Sequence, residues 1–85
     1  MTEALDGNAI GGLLRHVFGT ELTAAAGVCG HCGTGGLVAE LEVYARAPGT
    51  VVRCRSCHGV VMVLVERHGT VCVNLEGLAQ LEVPV

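Results

Sequence analysis

The sequence predicts a small antiparallel β protein that is stabilised by a metal ion and carries one N-terminal α-helix. Two cysteine pairs have the spacing C-x₂-C, Cys29 with Cys32 and Cys54 with Cys57. Segments with strand periodicity lie between and after the pairs, and a helical stripe precedes them. The chain has 85 residues with one Phe, one Tyr and no Trp, so its core is small and benefits from a cross-link.

The first predicted element is a helix over residues 5–18, LDGNAIGGLLRHVF. Asp6 is expected to cap its start, and Gly19 to end it in the left-handed conformation. Glycines inside the segment weaken the helix, so we expect it to form only when its apolar stripe packs on the sheet. The stripe, at helical spacing, consists of Ala9, Ile10, Leu13, Leu14 and Val17.

The next predicted elements are a strand over residues 37–46 and a turn at APGT with Pro48 and Gly49 at its centre. Residues 37–46 alternate between two faces, which is typical of a half-buried strand. The segment VVR then leads directly into the second cysteine pair. A strand out, a turn and a strand back would therefore bring the two cysteine pairs together.

Residues 59–67, GVVMVLVER, predict a strand that is covered on both faces, because apolar residues occupy both parities. One face holds Val61, Val63 and Val65, and the other holds Val60, Met62 and Leu64. The helix stripe is expected to cover one of these faces, with a second subunit as the alternative. His68-Gly69 predicts a hairpin turn into a strand over residues 70–77, and residues 77–85 are expected to dock on the sheet as a C-terminal tail.

The cysteine spacing predicts a four-sulfur metal site formed by Cys29, Cys32, Cys54 and Cys57. Each C-x₂-C pair can present two thiolates from one tight turn, and two such turns complete a tetrahedral cage. Residues 33–53, 21 in all, separate the pairs. The usual separation is about 15–20 residues, and one extra residue fits in a strand or turn. The spacing therefore predicts one zinc ion.

With these motifs, residues 27–76 resemble a zinc ribbon, in which two cysteine knuckles on β-hairpins are followed by an antiparallel sheet. The whole chain is similar to a family of short, uncharacterised actinobacterial zinc-ribbon proteins. The shared segments are an opening LDGNA, a CxxCG knuckle, an APGTVxRCxxC segment and a closing hairpin with a Gly-Leu tail. The resemblance implies zinc as the cofactor, with the four cysteines at the family's ligand positions, and it implies no established activity.

The zinc ion is expected to be structural, because four thiolates leave no position for water or substrate. Near the site, His31 and His58 are interpreted as exposed or outer imidazoles. Arg53 and Arg55 are interpreted as offsetting the negative charge of the cage, with phosphate contacts as the alternative. The fifth cysteine, Cys72, is expected to be a half-buried strand residue, with a redox-sensing thiol as the alternative.

No catalytic set is visible in the sequence, so we expect a non-enzymatic module that binds an unidentified protein partner. A homodimer through strand 60–65 or through the N-terminal helix is the alternative to a different protein partner. Nucleic-acid binding, as in transcription- or translation-associated ribbons, is the first alternative. The net charge of −3 and the absence of lysine, of an acidic dipeptide and of stacking aromatics argue against it.

A redox-responsive zinc-thiolate site or a rubredoxin-like iron site is the second alternative. The second knuckle reads CHG instead of CxxCG, and the aromatic-rich core of rubredoxins is missing. The acidic N-terminus shows no secretory signal, and no apolar run is long enough for a membrane span. Five cysteines and no signal predict a cytoplasmic location, where thiols stay reduced.

Overall fold

The computed structural model describes residues 5–20, 22–46 and 49–84. In these ranges the protein is an antiparallel β structure with one α-helix. The strands are β1 Leu5–Asp6, β2 Ala26–Cys29, β3 Gly35–Leu37, β4 Glu42–Arg46, β5 Gly49–Arg53, β6 Val60–Arg67, β7 Thr70–Asn74 and β8 Leu78–Glu82. The helix α1 spans Gly11–Phe18, and two 3₁₀ turns span Gly7–Ile10 and Val38–Glu40.

The strands form two sheets. The larger sheet has five strands in the order β1-β4-β5-β6-β7, and the smaller has three strands in the order β3-β2-β8. Every pair of neighbouring strands is antiparallel. Strands β4 and β5 pair from Glu42 with Arg53 to Arg46 with Gly49, which is the predicted return of the chain between the cysteine pairs. The predicted turn at Pro48 lies partly outside the described residues.

The predicted helix over residues 5–18 is too long, and the helix is not the first element. Leu5 and Asp6 pair with β4 instead. At Gly7 the chain passes so close to Val38 that a Cβ would collide with the Val38 carbonyl group, and Gly7–Ile10 form a 3₁₀ turn in place of the predicted α-helix. The N-cap is therefore Ile10, without a side-chain hydrogen bond, and not Asp6. The predicted end is confirmed, because Gly19 has φ 72° and donates its N–H to the Arg15 carbonyl oxygen.

The predicted strand over residues 37–46 is interrupted. Leu37 ends β3 with 45% of its surface exposed, whereas Val38 begins a 3₁₀ turn and is only 1% exposed. The Leu37 N–H donates to a carboxylate oxygen of Glu40 at 2.8 Å, and the Val38 N–H donates to the Ala25 carbonyl oxygen at 2.9 Å. These bonds turn the chain out of one sheet and into the other, although the apolar pattern reads as continuous.

The core lies on one face of the five-stranded sheet. Met62 and Leu64 of β6 are buried there in one cluster with Leu14 of α1. A bulge pairs Val52 with Met62 but Arg53 with Val60, so the extra residue Val61 is buried as well. The helix and this part of the strand therefore share one core, but Val61, predicted on the face of Val63 and Val65, is buried in that core with Met62 and Leu64. The opposite face is only half-buried at Val63 and Val65.

The hairpin between β6 and β7 has the predicted two-residue turn. His68 and Gly69 have φ values of 41° and 83°, which match a turn that needs two left-handed residues. Along β7 the side chains alternate between half-buried and exposed. Cys72 lies on the exposed side, so the expectation that it is half-buried is wrong. It belongs to an edge strand whose outward face has no cover among the described residues.

Candidate metal centre

The first cysteine knuckle joins β2 to β3. The backbone N–H of His31 donates to the sulfur of Cys29 at 3.3 Å, and the N–H of Gly33 donates to the Cys29 carbonyl oxygen at 2.9 Å. The Cys29 N–H closes the turn on the Thr34 carbonyl oxygen at 3.0 Å. The sulfur of Cys32 lies 3.1 Å from the Thr34 hydroxyl group, which can donate to it once Cys32 is a thiolate. The turn thus aims hydrogen-bond donors at both sulfurs.

The second knuckle joins β5 to β6 and repeats this pattern. The N–H of Ser56 donates to the sulfur of Cys54 at 3.3 Å, and the N–H of His58 donates to the Cys54 carbonyl oxygen at 2.9 Å. The Cys54 N–H donates to the Gly59 carbonyl oxygen at 2.9 Å. The Gly59 N–H reaches the sulfur of Cys57 at 3.4 Å. The two C-x₂-C motifs therefore fold into equivalent turns.

Each of the two turns contains one residue in the left-handed conformation, at the same position relative to its first cysteine. Gly33 has φ 78°, and His58, four residues after the first cysteine of its own knuckle, has φ 64°. A side chain makes this conformation unfavourable by about 1–2 kcal/mol, so His58 is the exceptional residue. Its Nδ1 lies 2.9 Å from a carboxylate oxygen of Glu42, and its carbonyl oxygen accepts a hydrogen bond from Arg53 at 2.9 Å. These contacts tie the second knuckle to β4 and β5.

The four predicted cysteines come together between the two sheets. Their sulfur atoms all lie within 4.8 Å of one another. Contacts of 3.7 Å join Cys29 to Cys57 and Cys32 to Cys54, so each contact crosses from one knuckle to the other. A tetrahedron with metal–sulfur bonds of about 2.3 Å has edges of about 3.8 Å. The two contacts across the knuckles therefore have the length of a tetrahedron edge, and all the sulfurs lie close enough together to surround one ion.

Without a metal ion, the two exposed thiols differ in acidity. Hydrogen bonds with the Thr34 side chain and backbone lower the pKa of Cys32 from 9.0 to about 6. For Cys57, the Gly59 N–H lowers the pKa, but desolvation and hydrogen bonds with the other three sulfurs outweigh it and raise the pKa to about 11. One thiolate and one neutral thiol therefore coexist at neutral pH.

The remaining predicted residues lie around the cluster and not in it. His31 is exposed, and its Nε2 lies 2.9 Å from the Val60 carbonyl oxygen. Arg53 lies over the ring of Tyr44, with its guanidinium carbon 5.9 Å from the ring centroid. Arg55 is exposed at the rim of a cavity of about 230 Å³ that also borders Cys29 and Cys54. Cys29 and Cys54 are at most 4% exposed, so the cavity lies beside the cluster but does not expose these two cysteines to solvent.

Three supporting residues were not predicted. Thr34 contacts the Cys32 sulfur, Glu42 contacts His58, and the Gly77 carbonyl oxygen accepts the N–H of Gly30 in the first knuckle at 2.8 Å. Only Thr34 has a sequence signal, since it lies two residues after a cysteine of the pair. The other two contacts join residues that are distant in the chain.

The fold and the cysteine cluster define the class of this protein. It is a small antiparallel β protein with four cysteines placed to hold one metal ion. Within that class, the chain belongs to a family of unknown function, DUF6510, whose model matches residues 1–85. No curated protein and no solved structure shows significant similarity to the chain. Among the described residues, no helix has the length and hydropathy to cross a membrane.

Proposed function

We propose that Cys29, Cys32, Cys54 and Cys57 hold one structural Zn²⁺ and that the protein is a zinc ribbon. The observation that carries the proposal is the pair of 3.7 Å sulfur contacts across the knuckles. Four thiolates are a ligand set that suits zinc, and backbone N–H groups directed at the sulfurs are the usual support of such sites. When bound, the ion supplies charge balance and a cross-link.

The proposed role of the ion is to join the two sheets. One knuckle belongs to the three-stranded sheet through β2 and β3, and the other belongs to the five-stranded sheet through β5 and β6. Structural zinc contributes on the order of 10 kcal/mol in small finger peptides, which is large for a core built from Val, Leu and Ala. Because four thiolates leave no open coordination position, we propose a non-enzymatic protein.

Native mass spectrometry of the purified protein tests this proposal. The wild type and Cys72→Ser are expected to carry one zinc per chain, because Cys72 lies outside the cluster. Cys54→Ser is expected to lose the ion and its thermal stability together, since Cys54 is buried and touches Cys32 from the opposite knuckle. A purified wild type that carries no zinc, or one whose melting temperature stays the same after a chelator has removed its zinc, would refute the structural zinc site.

We further propose that the module binds a protein partner, an unidentified protein or a second copy of this chain. The support is the half-buried face of the larger sheet, where Tyr44, Val51 and Val63 are aligned by strand register and Val65 lies beside them. Arg53 is already engaged with Tyr44 and the second knuckle, and the net charge is −3, which disfavours nucleic acid. Reduced thiolates also require a reducing compartment, so we place the protein in the cytoplasm.

Sizing with light scattering, together with native purification, tests the partner proposal. A complex or dimer is expected for the wild type and is expected to be lost in Val63→Lys, which places a charge on the half-buried face. Gly12→Lys, on the exposed side of the helix, is the matched control. A strict monomer without a co-purifying protein would contradict the proposal, and salt-sensitive binding to DNA or RNA would replace it with the nucleic-acid alternative.

A further inference from the structure

We propose that the cysteine cluster is also an oxidation site for peroxides, at which disulfides form between the two knuckles, Cys29 with Cys57 and Cys32 with Cys54. The inference rests on the proposed zinc site and deepens it, because it states how the site is emptied and what holds the protein together afterwards. It also states which cysteines pair. The C-x₂-C spacing alone would suggest a disulfide within each knuckle, whereas the proposed disulfides join one knuckle to the other.

Exposure divides the four cysteines into two kinds. Cys32 and Cys57 are exposed, whereas Cys29 and Cys54 are 4% and 3% exposed. Each 3.7 Å contact joins one exposed sulfur to one buried sulfur of the other knuckle. A peroxide in solvent therefore meets the exposed member first, and the buried member lies in contact behind it.

The chemistry follows from this arrangement in two steps. With zinc bound, both exposed sulfurs would be thiolates, because cysteine binds the ion in its deprotonated form. The exposed thiolate attacks one peroxide oxygen, so that an S–O bond forms, the O–O bond breaks and hydroxide leaves. The buried thiolate then attacks the resulting sulfenic acid, an S–S bond forms and a second hydroxide leaves. Both hydroxides take up protons, so hydrogen peroxide is reduced to two water molecules by the two electrons that the thiolates lose. The cluster loses two of its four ligands with each disulfide.

The pairing across knuckles has a structural consequence. A disulfide between Cys54 and Cys57 would close a loop of a few residues inside one turn and would add no covalent link between the two sheets. A disulfide between Cys32 and Cys54 instead spans 22 positions of the chain and joins the sheets where the ion joined them. The oxidised, metal-free protein therefore keeps its fold better than the reduced, metal-free protein does.

The experiment uses the zinc-loaded full chain with Cys72→Ser, which removes the exposed thiol outside the cluster. Hydrogen peroxide is titrated in, a chromogenic chelator reports released zinc, and free thiols are alkylated before tryptic digestion. Arg55 lies between Cys54 and Cys57, so trypsin places these two cysteines on different peptides. Cys29 and Cys32 share one peptide, and fragmentation of the linked peptides identifies which of them carries each bond.

We expect zinc release in proportion to disulfide formation, with the bonds Cys29–Cys57 and Cys32–Cys54 dominating the map. The melting temperature of the oxidised, metal-free protein should exceed that of the reduced, metal-free protein. Bonds within the knuckles would overturn the proposal, as would zinc that stays bound at peroxide levels that oxidise glutathione. If the purified protein holds no zinc, the proposed function fails, whereas the disulfide map of the oxidised protein still decides the pairing.

Discussion

The two knuckles require a left-handed residue, and a pair of Gly→Ala substitutions tests this requirement. Gly33 lies in the first knuckle with φ 78°, and Gly12 lies in α1. At both positions an added Cβ would meet no heavy atom within 4 Å apart from its chain neighbours and, at Gly12, the backbone of its own helix, so packing against the rest of the protein does not distinguish them. Only the backbone conformation differs, which makes Gly12→Ala a matched control for Gly33→Ala.

The expected effects have opposite signs. Alanine in the left-handed region destabilises the folded state by about 1–2 kcal/mol. Alanine also lowers the entropy of the unfolded chain, which stabilises the fold by about 0.4–1 kcal/mol. Gly33→Ala should therefore lower the free energy of unfolding by about 1 kcal/mol. In a helix, alanine is better than glycine by about 0.5–1 kcal/mol, so Gly12→Ala should raise it. For a domain of this size, 1 kcal/mol corresponds to about 4–8 °C in melting temperature.

The assay is thermal unfolding followed by circular dichroism, at one fixed excess of zinc, because bound metal shifts the melting temperature by mass action. Gly33→Ala should melt several degrees below the wild type and Gly12→Ala should melt above it. Melting temperatures that move in the same direction for both variants would show that the knuckle geometry described here is wrong.

Two further predictions concern the thiols and a close backbone approach. In the metal-free protein, iodoacetamide should modify Cys32 at neutral pH, where a thiol with a pKa of about 6 is ionised, whereas Cys57, with a pKa of about 11, should react only in strongly alkaline solution. Equal alkylation rates by mass spectrometry would contradict this order. Gly77→Ala should destabilise by about 2 kcal/mol or more, because its Cβ would collide with the Val60 carbonyl group. Gly35→Ala is the control, because the nearest atom to its added Cβ lies at an ordinary contact distance of 3.9 Å. It should lower the free energy of unfolding by well under half as much as Gly77→Ala. Similar urea midpoints for the two variants would refute the close approach at Gly77.

The features that were predicted correctly depend on residues that lie close together in the chain. The four sulfurs meet because each C-x₂-C pair closes its own turn and the β4–β5 hairpin returns the chain between the pairs. His68-Gly69 forms its hairpin because two residues with left-handed conformations fit a two-residue loop. The end of the helix at Gly19 followed from the same conformational preference.

The errors arose where distant contacts overrule local pattern. Leu5 pairs with Val43, so the start of the predicted helix is drawn into a sheet. Val38 bonds to Ala25, so the alternating segment turns where its sequence reads as continuous. Both contacts join residues that are more than ten positions apart, and periodicity within one segment contains no information about them.

The pairing of β8 with β2 makes the first knuckle depend on the part of the chain that the ribosome produces after all other described strands. Gly77, immediately before β8, also accepts the N–H of Gly30 inside that knuckle. During synthesis, β2 can pair with β3, and β5 with β6 and β7, as these strands emerge, whereas the third strand of the smaller sheet has to wait for Leu78–Glu82. The first cysteine pair therefore gains these contacts late in biogenesis, and a nascent chain arrested before β8 would present that pair to the surrounding cell without them.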